Sequence, residues 1–146
     1  MALAADIFPD TTFRLTLVAD PVADPVAVRA GLARIVASAP LAALSADHRA
    51  TAEIVLAEVL NNIAEHAYSG GPGDILIQLA TIPAGLECQI ADRGREMPGG
   101  SPPAGVLPQE DLPEGGFGWY LIRSLTQGLT YQRKDGQNLL HFVIPA

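Results

Sequence analysis

The chain has 146 residues, of which 49% are hydrophobic and 17% are charged. This length and composition predict a single folded domain over residues 1–146 and argue against a disordered chain. The net charge of −7 argues against direct nucleic-acid binding, because affinity for a phosphate backbone comes mainly from Lys and Arg. No apolar stretch of about 18 residues and no signal peptide occurs, and Cys88 is the only cysteine. We therefore expect a cytoplasmic protein with no membrane span, in which Cys88 is a buried structural residue.

The first half of the chain predicts one strand and two helices. Alternating apolar residues at 13–17 indicate a half-buried strand. An Ala-rich stretch at about 25–38 predicts a helix that Pro40 ends, because proline cannot continue a helix. A longer helix is predicted over about 47–67, with Ser45 as its N-cap.

Two further strands and a long irregular segment follow. Apolar residues alternate at 75–80 and at 86–91, and the short connection at 83–85 predicts a hairpin. Residues 93–115 contain five prolines and no regular pattern. A loop of this length in a compact domain is usually functional or disordered.

The last part of the chain predicts a helix and a second hairpin. The helix runs from 118 to about 127, and the strands at 129–134 and 137–144 flank Asp135-Gly136, a pair that suits a tight turn. The whole order of elements predicts an α+β fold, a two-layer sandwich in which helices cover one face of a mixed or antiparallel sheet.

The helix at 47–67 has an apolar face and a polar face. Five apolar residues fall on the side that would pack on a sheet: Leu56, Val59, Leu60, Ile63 and Ala67. Glu58, Asn62 and Glu65 lie nearly opposite, and for Glu65 alone a solvated surface is the plainer interpretation. Asn is a poor residue for a helix interior, so Asn62 favours a functional site.

Glu58 and Asn62 are one helical turn apart, so a carboxylate and an amide oxygen can reach the same small volume. Mg²⁺ prefers oxygen ligands and takes few of them from protein when it binds a nucleotide. Asn62 could supply such a ligand, which leaves Glu58 as a base or a water-orienting group. His66, one turn further along, either borders the same pocket or only ends the helix.

Asp92 stands at the end of the apolar strand at 86–91. An Asp in this position either caps a turn or accepts a hydrogen bond from the amino group of a ligand. Adenine fits the second interpretation, because a carboxylate accepts hydrogen bonds and cannot donate them. Gly94 would let the backbone approach a flat ring.

The segment Gly115-Gly116-Phe117-Gly118 precedes a predicted helix. Unobstructed backbone N–H groups at a helix start bind anions, whereas the alternative is a flexible loop end. The segment is neither a Walker A loop nor a dinucleotide fingerprint, because the Lys and the last glycine of those motifs are missing.

With these three motifs in this order, the sequence resembles the Bergerat-fold ATPases of gyrase, histidine kinases and mismatch-repair proteins. Within that group it is similar, over about residues 11–144, to the stand-alone anti-sigma-factor serine/threonine kinases. Residues 58–68 resemble the N box of that family, residues 92–94 its G1 box and residues 114–122 its G2 box.

The resemblance implies the Bergerat ATP-binding fold with a long ATP lid at about residues 95–114. It also implies that ATP and Mg²⁺ are the cofactors, that Asn62 helps to bind Mg²⁺ and that Glu58 is the general base. Asp92 would hold adenine. The other nucleotide-binding residues expected on this basis are His66, Gly94, Gly115, Gly116, Phe117 and Gly118.

The activity implied by the resemblance is phosphorylation of a serine on an anti-sigma-factor antagonist, a STAS-type domain. Binding of a sigma factor or other regulator, and assembly as a homodimer, are implied in the same way. One departure is that no Lys or Arg lies between Arg95 and Arg123, so the lid carries no cation. This departure motivates an alternative, an ATP-gated regulatory binding module with little or no kinase activity. A histidine-kinase catalytic domain that works in trans is a third hypothesis.

Overall fold

A computed structural model describes residues 13–103 and 116–146. The strands are β1 (Phe13–Ala19), β2 (Gly73–Ile82), β3 (Gly85–Asp92), β4 (Gln127–Lys134) and β5 (Gln137–Pro145). The helices are α1 (Ala27–Val36), α2 (Ala39–Ala42), α3 (Ala46–Asn62) and α4 (Gly116–Leu125). A π-helical turn, Ile63–Ala67, extends α3, and a short 3-10 turn, Pro98–Gly100, follows β3.

The five strands form one antiparallel sheet in the order β1-β2-β3-β5-β4. Both predicted hairpins are confirmed. Asp135 and Gly136 turn the second hairpin with φ angles of 54° and 76°, as a two-residue turn between twisted strands requires. Of the two sheet types predicted, the antiparallel one is found.

One face of the sheet carries the main core. Buried side chains from alternate positions of the strands, such as Ile77, Ile90 and Phe142, pack against Leu56 and Leu60 of α3. Residues of α1 and α4 join the same cluster. The predicted α+β two-layer sandwich, with helices on one face, is therefore confirmed, and so is the burial of Cys88.

Proline at position 40 does not end a helix as predicted. The first helix has already ended at Val36, and Pro40 lies in the first turn of α2, whose N-cap is Ser38. Proline suits a first helical turn because the N–H that it lacks has no partner there in any case.

The other helix boundaries shift by a few residues. The cap of α3 is as predicted, because the Ser45 hydroxyl accepts from His48 N–H at 3.1 Å. However, α3 ends at Asn62, and the rest of the predicted helix is the π-helical turn, in which Tyr68 N–H donates to Ile63 O at 3.0 Å. Helix α4 begins two residues earlier than predicted and ends at Leu125. Within the described residues, no helix is both long and apolar enough to cross a membrane.

Candidate functional site

The π-helical turn holds the segment that follows Asp92. Arg95 N–H donates to Ala67 O at 2.8 Å, and Gly94 lies so close that a Cβ there would be 2.5 Å from the same oxygen. A larger residue at position 94 would therefore force the two segments apart. The end of the predicted N box and the predicted G1 box are thus in direct backbone contact.

Tyr68, which directly follows the π-helical turn, makes a second contact with the segment after Asp92 and also contacts β2. Its hydroxyl donates to Asp74 O at 2.6 Å and accepts from Arg93 N–H at 2.8 Å. Burial raises the pKa of Tyr68, partly opposed by the hydrogen bond from Arg93, so the hydroxyl keeps its proton. One side chain thus ties together the end of the π-helical turn, the start of β2 and the end of β3.

The first turn of α4 lies against Glu58 and Asn62. A Cβ built on Gly118 would be 2.7 Å from Glu58 Oε2 and 3.5 Å from Asn62 Nδ2. Both side chains therefore reach the backbone of α4 near its N-terminus, where unpaired N–H groups and the helix dipole favour anions. This geometry brings parts of the predicted N box and G2 box together.

The side chain of Asn62 ends in a buried atom that lacks a partner. Its Nδ2 has no hydrogen bond to any of the described residues, although Asn62 as a whole is only half-buried. A buried amide without a partner is costly in a folded protein. A half-turn of the amide presents Oδ1 at the same position, and an oxygen beside the Glu58 carboxylate is the kind of ligand that Mg²⁺ takes. The residues present therefore fit a Mg²⁺ ion.

Asp92 is 4% exposed and uses one of its two carboxylate oxygens within the protein. Oδ1 accepts from Gly94 N–H and from Asn138 Nδ2, each at 2.8 Å. Oδ2 has no hydrogen bond to the described residues. The two interpretations of Asp92 are thus compatible, because one oxygen caps the turn while the other remains available to a ligand.

Burial raises the pKa of Asp92. The hydrogen bonds from Asn138 and Gly94 and the charge of Arg133 act in the opposite direction and do not cancel the effect of burial. A carboxylate in this position is therefore easier to protonate than an ordinary aspartate on a protein surface.

For the other predicted site residues, the structure shows fewer contacts with the site or does not describe them. His66 is exposed, and its carbonyl oxygen accepts from Arg95 Nη2 at 2.9 Å. Gly116 begins α4. Gly115, residues 104–114 of the predicted lid and the side chain of Phe117 lie outside what the structure describes. The nucleotide-binding roles of these residues stay predictions.

Three polar residues of the last hairpin were missed by the sequence analysis. They are Tyr131, Arg133 and Asn138, and they lie beside Asp92 and the segment after it. The signal that could have found them is Asn138, a polar residue in phase with the apolar core positions 140, 142 and 144 of the same strand.

Comparison with known proteins places this arrangement in a family. Residues 22–144 match the family described as the histidine kinase-like ATPase domain. The chain belongs to this family. The resemblance inferred from the three motifs is thereby confirmed.

Similar proteins include two from bacilli, each named serine-protein kinase RsbW. The chain is 31% identical to that of Bacillus mycoides strain KBAB4 and 32% identical to that of Bacillus cereus strain B4264, over 94 residues in both cases. The matched region covers 60% of this chain and 59% of each relative. The chain thus matches less than two thirds of the length of these relatives.

If Asp92 binds adenine, replacing it by Asn changes the atom that faces the base. Gly94 and Asn138 both require an acceptor, so the amide nitrogen of the new side chain would take the place of Oδ2. That nitrogen would face the 6-amino group of adenine, donor against donor. We expect ATP affinity to fall roughly 30- to 150-fold, the effect of leaving buried polar groups unpaired. The affinity for inosine triphosphate, which carries a 6-carbonyl, should rise relative to the affinity for ATP.

Isothermal titration calorimetry with both nucleotides would measure these affinities. Asp74→Asn is the control, because Asp74 is exposed and the charge change is the same. The Asp92 variant should be no less stable than wild type, since a buried charge is removed. An unchanged preference for ATP over inosine triphosphate would contradict the assignment of Asp92.

The raised pKa of Asp92 predicts a pH dependence of nucleotide binding. Protonation removes the acceptor, so ATP affinity should fall as the pH drops through the raised pKa, at a higher pH than an ordinary aspartate would require. Folding is affected in the opposite direction, because a raised carboxyl pKa favours the folded state as the pH falls. Titrations of wild type and Asp92→Asn across the acidic range separate this effect from phosphate titration, which both proteins share. Identical pH profiles would contradict it.

The contact between Glu58 and Gly118 predicts non-additive stabilities. Gly118→Ala alone must push the Glu58 carboxylate aside, which offsets the helix-forming advantage of alanine. In a Glu58→Ala background the same change should stabilise the protein by roughly 0.5–1 kcal/mol. Urea unfolding of the wild type, both single variants and the double variant measures the coupling. Additive free energies of unfolding would mean that the Glu58 side chain moves aside at no cost, and would contradict the predicted coupling.

Proposed function

We propose that this chain is an ATP-dependent protein-serine kinase that acts in partner switching. It would phosphorylate a serine of an anti-sigma-factor antagonist, a STAS-type domain, and would also bind a sigma factor or another regulator. The observation that carries the proposal is the approach of α4 to Glu58 and Asn62, with Gly118 at the contact. The names of the similar bacillus proteins support the same reaction class.

Three groups of residues would bind the nucleotide and Mg²⁺ in the proposed site. Asp92 and Gly94 would bind adenine, and Gly116 and Gly118 would leave the N-terminus of α4 open to the phosphates. Asn62 would hold Mg²⁺, which supplies positive charge to the triphosphate when it is bound. The binding of Mg²⁺ to an amide oxygen and phosphates matches its preference for oxygen ligands.

Glu58 would act as the general base. Its carboxylate accepts the proton of the partner's serine hydroxyl while the serine oxygen forms a bond to the γ-phosphorus. The bond from that phosphorus to the bridging oxygen breaks, and ADP leaves. Phosphoryl transfer depends chiefly on positioning and on charge stabilisation, which in this site would come from bound Mg²⁺ and the N-terminus of α4.

The two arginines on either side of residues 96–122 favour a second candidate function. Arg123 donates to Pro102 O at 2.8 Å and to Pro103 O at 2.6 Å, and Arg95 donates to His66 O. Both guanidinium groups are therefore engaged with backbone, and the sequence between them has no Lys or Arg. An ATP-gated regulatory binding module with little or no kinase activity is the function that this observation favours.

The cellular setting of the protein belongs to the same proposal. A single domain of residues 1–146 would work in the cytoplasm and assemble as a homodimer, without contacting nucleic acid directly. The third hypothesis, a histidine-kinase catalytic domain acting in trans, receives no support from the names of the similar proteins, which are serine-protein kinases.

A phosphotransfer assay separates the two main candidates. The full chain with Mg²⁺ and labelled ATP is incubated with candidate antagonist domains from the same organism, and phosphoserine is measured. We expect Glu58→Gln to lower the transfer rate about 100-fold or more, the usual contribution of a general base, while ATP affinity stays within a few-fold of wild type.

Glu53→Gln is the matched control, because Glu53 is an exposed residue of the same helix. It should transfer at the wild-type rate. If the wild type transfers no phosphate but binds a partner only with ATP, and Glu58→Gln binds equally well, the binding module replaces the kinase. If the protein binds no nucleotide, both candidate functions are contradicted.

A further inference from the structure

A buried amide occupies the end of the sheet beside the proposed adenine site. Asn138 is the second residue of β5 and is 4% exposed. In the sheet register it lies directly between Asp92 of β3 and Arg133 of β4. Asn is uncommon in strands and expensive to bury, so its polar atoms require partners there.

The orientation of the Asn138 amide is fixed by its neighbours. Oδ1 accepts from Arg133 Nη1 at 3.0 Å and from the Tyr131 hydroxyl at 2.5 Å. A guanidinium group can only donate hydrogen bonds, so the oxygen end must face β4. The nitrogen end consequently faces Asp92, whose Oδ1 accepts from Nδ2 at 2.8 Å.

The same amide also holds the backbone after Asp92. Nδ2 lies 2.9 Å from Arg95 O and 3.3 Å from Gly94 O, so its two hydrogens are shared among three acceptors. The neighbours extend the contact, because Arg133 Nη1 donates to Gly94 O at 2.6 Å and the Tyr131 hydroxyl accepts from Met97 N–H at 3.1 Å. Three side chains of one hairpin therefore anchor the segment from 92 to 97.

We propose that Asn138 is the positioning residue that orients the Asp92 carboxylate, so that one oxygen is held within the protein and the other faces the base as an acceptor. This inference rests on the proposed role of Asp92 in adenine binding and adds a residue that selects adenine over a base with a 6-carbonyl. With Oδ1 held by Asn138 and by the backbone of Gly94, rotation of the carboxylate would break two hydrogen bonds. Oδ2 is therefore presented in one orientation before any ligand arrives.

Among the described residues, the ionisable groups that lie beside Asp92 on the packed elements are Tyr68, Tyr131 and Arg133. Its own segment adds Arg93, Arg95 and Glu96. Tyr68 keeps its proton because burial raises its pKa. The Asn138 N–H is thus one of few groups that favour the ionised carboxylate against burial, and its removal should make Asp92 still easier to protonate.

Asn138→Asp tests the proposal with a side chain of the same shape. With one proton shared between the two carboxyl groups, residue 138 still donates to Asp92, and ATP binding resembles wild type. Once that proton is lost, two carboxylates face each other at hydrogen-bond distance, which is strongly unfavourable. We expect ATP affinity of the variant to fall at least roughly tenfold as the pH rises through the neutral range. Wild-type affinity should not fall in that range.

The measurements are calorimetric titrations of the full chain with ATP and with inosine triphosphate from about pH 5.5 to about pH 8.5, with thermal unfolding in the same buffers. Gln132→Glu is the matched control, because this exposed residue of β4 undergoes the same amide-to-acid change next to Tyr131. It should keep the wild-type profile and the wild-type preference for ATP.

Two results would overturn the inference. One is an Asn138→Asp protein whose ATP affinity at high pH stays within twofold of wild type. The other is an equal loss of both nucleotides at every pH, which would mean that Asn138 only supports folding. If Asn138→Asp does not fold, Asn138→Ser is used in its place. We expect the ratio of its affinities for ATP and inosine triphosphate to drop roughly tenfold. An unchanged ratio overturns the inference. If the wild type itself binds no ATP, the proposed function fails, and the inference fails with it.

Discussion

The hydrogen bond from Arg95 N–H to Ala67 O joins two parts of the chain that are far apart in sequence, and the position of Asp92 depends on it. Backbone can approach backbone at this point because Gly94 has no side chain to intervene. Tyr68 then adds a second link to the same segment. This junction holds the segment after Asp92 against the end of α3, in addition to the packing of the sheet on that helix.

The second constraint is that buried polar groups need hydrogen-bond partners. The end of the sheet and helix α3 differ in this respect. At the sheet end, Asp92 and Asn138 satisfy each other and the nearby backbone, and of the side-chain oxygens and nitrogens of these two residues only Asp92 Oδ2 lacks a partner among the described residues. On α3, Asn62 keeps a buried amide end without a partner among the described residues. Polar groups left unsatisfied in a folded protein lower its stability, and they concentrate where a ligand completes them.

The sequence predicted the five strands, three of the helices and the antiparallel or mixed sheet correctly, because alternation and turn residues are local signals, but it did not predict α2 or the π-helical turn. It also predicted from helical spacing that Glu58 and Asn62 reach the same small volume, and by resemblance to a family that Asp92 belongs to the same site. The role of Pro40 was predicted wrongly, because the same residue suits a helix start as well as a helix end. The contacts of Asn138 and Tyr131 could not be predicted from local patterns, since they depend on strand register across three strands.

The π-helical turn at the end of α3 has a consequence for local opening of the fold. Its carbonyl groups at positions 66 and 67 bind the side chain and the backbone of Arg95, a residue on another element. Fraying of this turn breaks both hydrogen bonds to Arg95, whereas Tyr131, Arg133 and Asn138 still hold the segment after β3. The amide proton of Arg95 should accordingly exchange with solvent when the turn opens, and a ligand that bridges the turn and the segment would slow this exchange.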